Sequence, residues 1–234
     1  MMTKLSVVII ARNEENTIAE AVRSSLFADE VLVLDSGSTD RTCEVAASLG
    51  ARVLQEEWLG FGPQKNRAVS LARNDFVFVL DADERITQAL EKEIMTILKH
   101  PEFEGYFVPR LNNFWGYDIK TCGLYPDYTI RLFDRTKARF NDVQVHESVQ
   151  MKTTPGYVKN HLLHLAYNSI DAFIEKQNRY STLHHKSKNK IKAMVNPAWT
   201  FFKLFILKKG FLDGWNGFVI SKLYAQYTFW KYIK

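Results

Sequence analysis

Over its first eighty residues the chain alternates short apolar runs with amphipathic stretches. Four runs predict strands, and the first, second and last are continuously apolar, as expected of strands covered on both faces: Leu5 to Ile10, Glu30 to Leu34, Arg52 to Gln55 and Phe76 to Leu80. Helical spacing between the runs predicts helices at Glu14 to Leu26, at Thr39 to Leu49, and a third opened by Pro63. Ser38 is the expected cap of the second helix and Gly50 its stop. This order predicts an α/β fold whose sheet is mostly parallel and flanked by helices.

The second half of the chain has a different texture. A helix is predicted from Thr87 to Lys99, and aromatic and β-branched segments around 105–110, 128–133, 139–149 and 156–164 predict mixed or antiparallel strands. Helical spacing resumes at Ser169, with breaks expected at Pro197 and along 210–217. We therefore expect a first domain at 1–165 and a C-terminal helical extension at 166–234.

Composition and charge refine this picture. A chain of 234 residues with 46% hydrophobic and 24% charged residues fits one α/β domain with an appendage and excludes a disordered protein. The net charge of +5 conceals a partition, because residues 176–234 hold twelve lysines and arginines against the single acid Asp213. The rest of the chain holds 19 basic and 25 acidic residues. An acidic body suits a cation, and a basic tail suits a polyanion.

Two features bear on location. Cys43 and Cys122 match neither a zinc spacing nor a disulfide framework, which favours a reducing compartment. The N-terminal apolar run ends at Arg12 after six residues, too short for a signal sequence or a spanning helix, so we expect a cytoplasmic protein.

The basic tail is also aromatic. Residues 195–234 contain twelve aromatic residues and six lysines, and Trp, Tyr and Lys together are typical of a membrane interface. This composition predicts peripheral contact with an anionic membrane, on the inner face of the cytoplasmic membrane. The alternative is that the aromatic residues pack on the sheet domain and the lysines form its solvated face. A nucleic acid partner is not expected, because no nucleic-acid-binding motif accompanies the tail.

Acidic residues follow two of the predicted strands. Asp35 follows the second, and Asp81 and Asp83 follow the fourth, at the edge where open α/β sheets bind ligands. In an extended segment Asp81 and Asp83 would point to the same side, where two carboxylates can share a divalent cation or hold a cation and a ribose, and Ala82 leaves space for a ligand. The alternative is that these acids only cap the following helix.

The acids belong to three motifs whose order and spacing make the signal for a ligand site more specific. The motifs are Ala11-Arg12-Asn13-Glu14-Glu15, Val33-Leu-Asp-Ser-Gly-Ser-Thr-Asp-Arg-Thr42 and Asp81-Ala82-Asp83-Glu84. With them the chain resembles family 2 glycosyltransferases of the GT-A fold over nearly its whole length. The resemblance implies a nucleotide-sugar donor and a divalent metal, Mg²⁺ or Mn²⁺, on its diphosphate. It implies Asp83 as metal ligand, Asp81 as ligand or ribose contact, and Asp35 near the base.

The same resemblance assigns other donor contacts. Ala11, Arg12 and Glu14 match the loop that lines the nucleotide, and Lys65 in Gln64-Lys-Asn-Arg67 matches a basic residue near the phosphates. A solvated helix face is the alternative for Lys65. The chain departs from the common family pattern at Ser36, where an Asp often stands, and at Ala11, where a Pro often stands.

A later set of motifs resembles sugar transferases of the lipopolysaccharide core: Arg131-Leu-Phe133, Arg139-Phe140 and Val145-His146-Glu147. An inverting transfer needs a base that removes the acceptor hydroxyl proton, and a carboxylate suits this role. We predict Glu147 as the base, His146 as its orienting or metal-proximal partner and Arg131 as a helper for leaving-group charge. Asp127 and Asp142 are competing bases, and a purely structural His146-Glu147 pair is the alternative.

Together these resemblances imply an inverting, metal-dependent glycosyltransferase. We expect it to move a hexose, glucose from UDP-glucose, onto a lipopolysaccharide core or a similar lipid-linked glycan. The alternatives are transfer to a capsule lipid intermediate or a protein side chain, and a nucleotide-sugar-binding protein without turnover.

Overall fold

The computed structural model describes residues 2–141, 147–183 and 188–234, and the chain forms two compact units. The first comprises residues 1–110 and 128–164, and the second comprises 111–127 and 165–234. The second unit thus includes a segment, 111–127, that the sequence analysis placed in the first domain.

The predicted parallel strands form one side of the main sheet. They are β1 (Leu5–Ala11), β2 (Glu30–Asp35), β3 (Arg52–Gln55) and β4 (Phe76–Asp81). Strand β1 lies between β2 and β4, and β3 lies beyond β2, all in parallel. The carboxyl ends of β1, β2 and β4 therefore meet at one edge, where the sequence places its acids.

The remaining strands are mixed in direction. They are β5 (Glu84–Ile86), β6 (Gly105–Phe114), β7 (Tyr117–Ile119), β8 (Asp127–Asp134), β9 (Ala138–Phe140), β10 (Val149–Met151), β11 (Gly156–Tyr157) and β12 (Leu162–Tyr167). The main sheet has the order β3-β2-β1-β4-β8-β6-β12-β5, with β7 and β11 beside β6, and β9 pairs with β10. Strand β8 runs antiparallel to β4, and β12 runs antiparallel to β5.

The helices described in the first unit are α1 (Ile18–Arg23), α2 (Thr42–Ser48), α3 (Phe61–Ser70) and α4 (Gln88–Ile97). Helices α1 and α2 are shorter than predicted. Ser38 does not cap α2, because its hydroxyl donates to the carboxylate of Asp35. Thr87 does cap α4, with its Oγ1 accepting from the Leu90 amide at 3.3 Å.

The core of the first unit lies on both faces of the parallel strands. Leu5, Val7 and Ile9 of β1 pack in one cluster with α1, α2 and α4, while Val8 and Ile10 pack in a second cluster with α3. Successive side chains of a strand point to opposite faces, so β1 is buried on both. This arrangement confirms the predicted α/β fold.

The second unit is mainly helical, as predicted from Ser169 onward. Its elements are α5 (Ile170–Leu183), α6 (Lys190–Phe202), a π-helical segment (Lys203–Leu207), a 3₁₀ segment (Gly210–Asp213) and α7 (Gly214–Ile233). The break expected at Pro197 was wrong, because α6 continues through it. Hydrogen bonds from Asn196 to Tyr232 and between Thr200 and Thr228 hold α6 to α7 on either side of the proline. Among the helices described, none is both long and apolar enough to cross a membrane.

Candidate active site

Asp81 ends β4 and holds two cations at once. Its Oδ1 lies 2.9 Å from Nζ of Lys65 on α3, and its Oδ2 lies 2.8 Å from the guanidinium of Arg131 on β8. Arg131 precedes Leu132, which pairs with Phe78, so the antiparallel register brings it toward the end of β4. Burial alone would raise the pKa of Asp81, but Arg131 and Lys65 hold that pKa well below its usual range. Asp81 is therefore ionised at neutral pH.

Lys65 also reaches the predicted base. Its Nζ lies 2.7 Å from Oε1 of Glu147, and its side chain is almost completely buried. The alternative in which Lys65 lies on a solvated helix face does not hold. Its neighbour Asn66 exchanges two hydrogen bonds with the backbone of Phe140, at 2.8 and 2.9 Å, which fixes α3 against β9. This clamp positions Lys65 between the two carboxylates.

Glu84 is a fully buried acid beneath Asp81, and sequence reasoning did not single it out. Its Oε2 accepts from the Asp81 amide at 3.0 Å, and its Oε1 lies 2.5 Å from Arg131 and 3.6 Å from Arg110. Burial raises the pKa of Glu84, and the attraction of Arg131 opposes this. The pKa of Arg131 is raised by Asp81 and Glu84 although its burial acts in the opposite sense, so its guanidinium stays charged.

A buried donor of Arg131 lacks a partner. Its Nε is buried and meets no hydrogen-bond partner within the described part of the chain. An unsatisfied buried donor on a charged group is costly unless a ligand or water meets it. This atom is the kind of donor that an anionic group would satisfy.

Asp83 faces a histidine rather than Asp81. Its Oδ2 lies 3.4 Å from Nε2 of His164 on β12, and its side chain is 38% exposed. The segment between β4 and β5 turns instead of staying extended, so the extended geometry assumed for Asp81 and Asp83 is not the observed one.

The acidic side chains at this edge of the sheet are candidate ligands for a divalent metal. Within residues 2–141, 147–183 and 188–234, no group of three or more His, Cys, Asp and Glu side chains is gathered around one point. Magnesium, however, is commonly held by one or two carboxylates with substrate phosphates and water completing its shell. The exposed carboxylate of Asp83, with the imidazole of His164, fits a cation that arrives with a diphosphate. Asp81 fits less well, because each of its oxygens is already ion-paired.

Asp35 organises the loop between β2 and α2. Its Oδ2 accepts from the amides of Gly37 and Ser38 at 3.0 and 2.9 Å, and its Oδ1 accepts from the Ser38 hydroxyl. Asp35 is fully buried, and both of its carboxylate oxygens accept from Ser38. Ser36, at the position where the family often has an acid, accepts from the buried Gln64 amide at 3.0 Å.

The other predicted donor residues surround this edge. Ala11 is buried, and its carbonyl accepts from the Ser36 amide at 2.9 Å, which joins the loops after β1 and β2. Arg12 is exposed. Burial raises the pKa of Glu14, with repulsion from Asp83 adding to it and a hydrogen bond from Thr17 opposing it. Ala82 is buried in the turn after β4.

The structure brings Lys65, Asp81, Arg131 and Glu147 into one ion-paired group in the first unit. His146 and Asp142 lie outside the described residues, and Asp127 belongs to the second unit. Sequence reasoning missed Glu84, Arg110 and His164. The acid at Glu84 stood within the quoted motif, but nothing local in the sequence marked Arg110 or His164.

Acids and buried cations at the carboxyl ends of parallel strands are typical of the ligand-binding edge of an α/β enzyme. The family model described as Glycosyl transferase family 2 matches residues 6–142. The chain belongs to this family and is a glycosyltransferase, and the expected GT-A fold is confirmed.

Relatives extend the similarity to the whole chain. An uncharacterised glycosyltransferase of Rickettsia typhi is 33% identical over 253 residues, covering 100% of this chain and 87% of its own. The lipopolysaccharide core biosynthesis glycosyltransferase LpsC of Rhizobium meliloti is 30% identical over 240 residues, covering 96% of this chain and 89% of its own.

A solved structure matches a smaller part. Glucosyl-3-phosphoglycerate synthase from Mycobacterium tuberculosis, in complex with Mn²⁺, UDP and glucosyl-3-phosphoglycerate, is 31% identical with a TM-score of 0.40. The match covers 47% of this chain and 44% of that one.

Proposed function

We propose that this glycosyltransferase moves a hexose, glucose from UDP-glucose, onto a lipopolysaccharide core or a similar lipid-linked surface glycan, with inversion at the anomeric carbon. The observation that carries the proposal is the placement of Glu147 beside Asp81, with Lys65 between them. The similarity to LpsC over most of both chains supports the choice of acceptor.

Glu147 is the proposed base. The acceptor oxygen attacks the anomeric carbon as its proton passes to the Glu147 carboxylate, while the bond from that carbon to the diphosphate oxygen breaks and the nucleoside diphosphate leaves. The hydrogen bond from Lys65 orients the Glu147 carboxylate for this transfer.

The leaving diphosphate gathers negative charge, and cations already in place stabilise such charge without reorganising. The unsatisfied Nε of Arg131 supports a role for this residue beside the donor. Asp83 and His164 are the proposed holders of a divalent cation, Mg²⁺ or Mn²⁺, with Asp81 less directly involved. When bound, the cation would neutralise charge on the diphosphate.

The donor end extends along the neighbouring loops. We propose that Asp35 contacts the nucleobase of the donor. The walls of the donor site are assigned to Ala11, Arg12, Glu14 and Ala82. Asp35 already orders the loop that would receive the base, which supports this assignment.

We place the reaction at the inner face of the cytoplasmic membrane. Residues 1–165 would carry the donor and acceptor chemistry, and 166–234 would provide membrane contact. The excess of lysine over acid in the tail supports this division.

The experiment is a transfer assay with the purified full chain, a panel of nucleotide sugars and a delipidated lipopolysaccharide core as acceptor. UDP-glucose should give the highest rate, and Glu147→Gln should lower kcat by about 10²-fold or more while leaving UDP binding intact. Glu57→Gln, an exposed acid in the same unit, is the control. Turnover of Glu147→Gln at the wild-type rate would contradict the assignment of Glu147 as the catalytic base. Donor binding without transfer to any glycan would indicate a nucleotide-sugar-binding protein.

A further inference from the structure

The second unit carries a contiguous group of rings that the proposed chemistry does not use. We call it the aromatic cluster, and it consists of Phe201, Phe205, Phe211, Trp215 and Phe218. Phe205 contacts Phe201, Phe211 and Phe218 with ring centroids 5.4, 6.4 and 5.8 Å apart. Trp215 stacks on Phe218 at 5.4 Å. The rings therefore form one surface that joins α6, the π-helical and 3₁₀ segments and α7.

Much of this surface faces outward. Trp215 is 74% exposed and Phe211 is 48% exposed, and Leu212 between them is also exposed. Contiguous apolar patches are uncommon on soluble proteins and usually mark a site of interaction.

The segment that carries the aromatic cluster is basic. Residues 188–234 contain nine lysines and a single acid, Asp213. Asp213 is buried, and its Oδ2 accepts from the Lys120 amide and from the amide and hydroxyl of Thr121 at 2.6–3.2 Å. The exposed charged side chains of residues 188–234 are thus lysines, among them Lys208 and Lys209, which come shortly before Phe211 in the chain. This surface complements an anionic partner.

A groove between α6 and α7 adjoins the cluster. Its volume is about 570 Å³, within the range of ligand pockets, and small side chains such as Ala198 and Ala225 leave the space open. Phe201 and Phe218 line the groove and also belong to the cluster. Lys222 lines it too and supplies a cation at an otherwise mainly apolar site.

We infer that the aromatic cluster and its groove dock the protein on an anionic phospholipid bilayer. The rings enter the interface, the groove takes one acyl chain, and the lysines meet headgroup phosphates. A second copy of the chain fits less well, because a two-fold interface would place the lysines of one copy against those of the other. The inference deepens the membrane location proposed above, and its test does not require sugar transfer.

The test is co-sedimentation of the full chain with vesicles of phosphatidylcholine alone or mixed with phosphatidylglycerol. We expect binding to the anionic vesicles, weakened by added salt. Replacing both Phe211 and Trp215 by Ser should weaken it about tenfold or more. Replacing Lys208 and Lys209 by Gln should weaken it about fivefold per lysine on anionic vesicles. Tyr157→Ser, an aromatic residue 64% exposed in the first unit, is the matched control and should bind as the wild type does.

The groove is tested with lysophosphatidylglycerol below its micelle concentration. Ala198→Glu should abolish saturable binding, while Ala47→Glu, at an exposed position of α2, should not. Equal binding to neutral and anionic vesicles, or full binding by the Phe211 and Trp215 double variant, would overturn the inference. The inference would also be overturned if the wild-type protein did not bind vesicles and instead formed a dimer that Trp215→Ser dissociates. Transfer to a delipidated glycan should be unchanged in all these variants, so failure here is distinguishable from failure of the proposed activity.

Discussion

Lys65 donates a hydrogen bond of 2.7 Å to Glu147, although 82 residues separate them in the chain. The same ammonium lies 2.9 Å from Asp81 at the end of β4. One buried cation thus connects the acid motif after the fourth parallel strand to the proposed base. Two carboxylates so close together would repel each other without it.

The first prediction concerns this cation. Lys65→Met should lower kcat about a hundredfold, because Glu147 loses the partner that orients it for proton removal. Thermal unfolding should also shift downward, since Asp81 and Glu147 lose a shared ion pair. Steady-state transfer from UDP-glucose and a melting curve measure the two effects.

Arg67→Met is the control for Lys65→Met. Arg67 is also on α3, but it is exposed and pairs with Glu56, so its loss should change stability little and leave turnover unaffected. If Lys65→Met turned over at the wild-type rate, the Lys65–Glu147 contact would be structural only.

The second prediction concerns Asp83 and His164. Alanine at either position should raise the Mn²⁺ concentration needed for UDP-glucose binding by about tenfold or more, because each removes one protein ligand. Calorimetric titration with and without chelator measures this. Asp75→Ala, at an exposed acid of the same unit, should bind donor as the wild type does. If the wild type bound UDP-glucose equally well with and without chelator, the metal assignment would be contradicted.

Much of the fold was predictable because burial leaves a direct mark on the sequence. Strands β1, β2 and β4 are covered on both faces, so they are continuously apolar and their bounds were predicted within a residue. The cap of α2 was not predictable, because Ser38 can bond either its own helix or Asp35. The helix through Pro197 depends on packing against α7, which local sequence does not report.

The site residues also divide into those that the local sequence marks and those that depend on contacts between distant segments. Asp35, Asp81 and Asp83 were found because they directly follow strands whose ends meet. His164 was missed because it reaches Asp83 through the pairing of β12 with β5, a contact between distant segments. Glu84 was missed as a partner of Arg131 because only the turn after β4 directs its side chain back beneath Asp81.

The third prediction concerns the close approach of α7 to the 3₁₀ segment. A Cβ at Gly217 would lie 1.9 Å from the carbonyl oxygen of Gly210, so the backbone would have to move. Gly217→Ala should therefore destabilise the protein by about 1–3 kcal/mol, although helix propensity alone favours Ala by about 1 kcal/mol. Urea unfolding decides the sign. Lys222→Ala, at an exposed position of the same helix, should be nearly neutral, and a stabilised Gly217→Ala would show that α7 does not pack this closely.

The fourth prediction concerns Glu30, a buried acid at the start of β2. Its carboxylate accepts from Ser6 at 2.6 Å, from the Arg73 amide at 2.7 Å and from Arg52 at 2.9 Å. Burial acts to raise the pKa of Glu30, but these hydrogen bonds outweigh it and leave the pKa below its usual value. Glu30→Gln should therefore cost about 2 kcal/mol at neutral pH, the loss of a charged hydrogen-bond acceptor.

The pH dependence of the Glu30→Gln effect follows from the direction of this shift. A depressed pKa contributes stability that is complete above the unfolded value of about 4.3 and is lost as the pH falls through the folded value. The difference in unfolding free energy between wild type and Glu30→Gln should therefore narrow as the pH is lowered from neutral to about 3. Urea unfolding at both pH values measures it, with Glu57→Gln as an exposed control that changes little at either. If the difference in unfolding free energy stayed constant with pH, the pKa of Glu30 would not differ between the folded and unfolded states. The stabilisation by its hydrogen bonds would then not depend on the carboxylate charge.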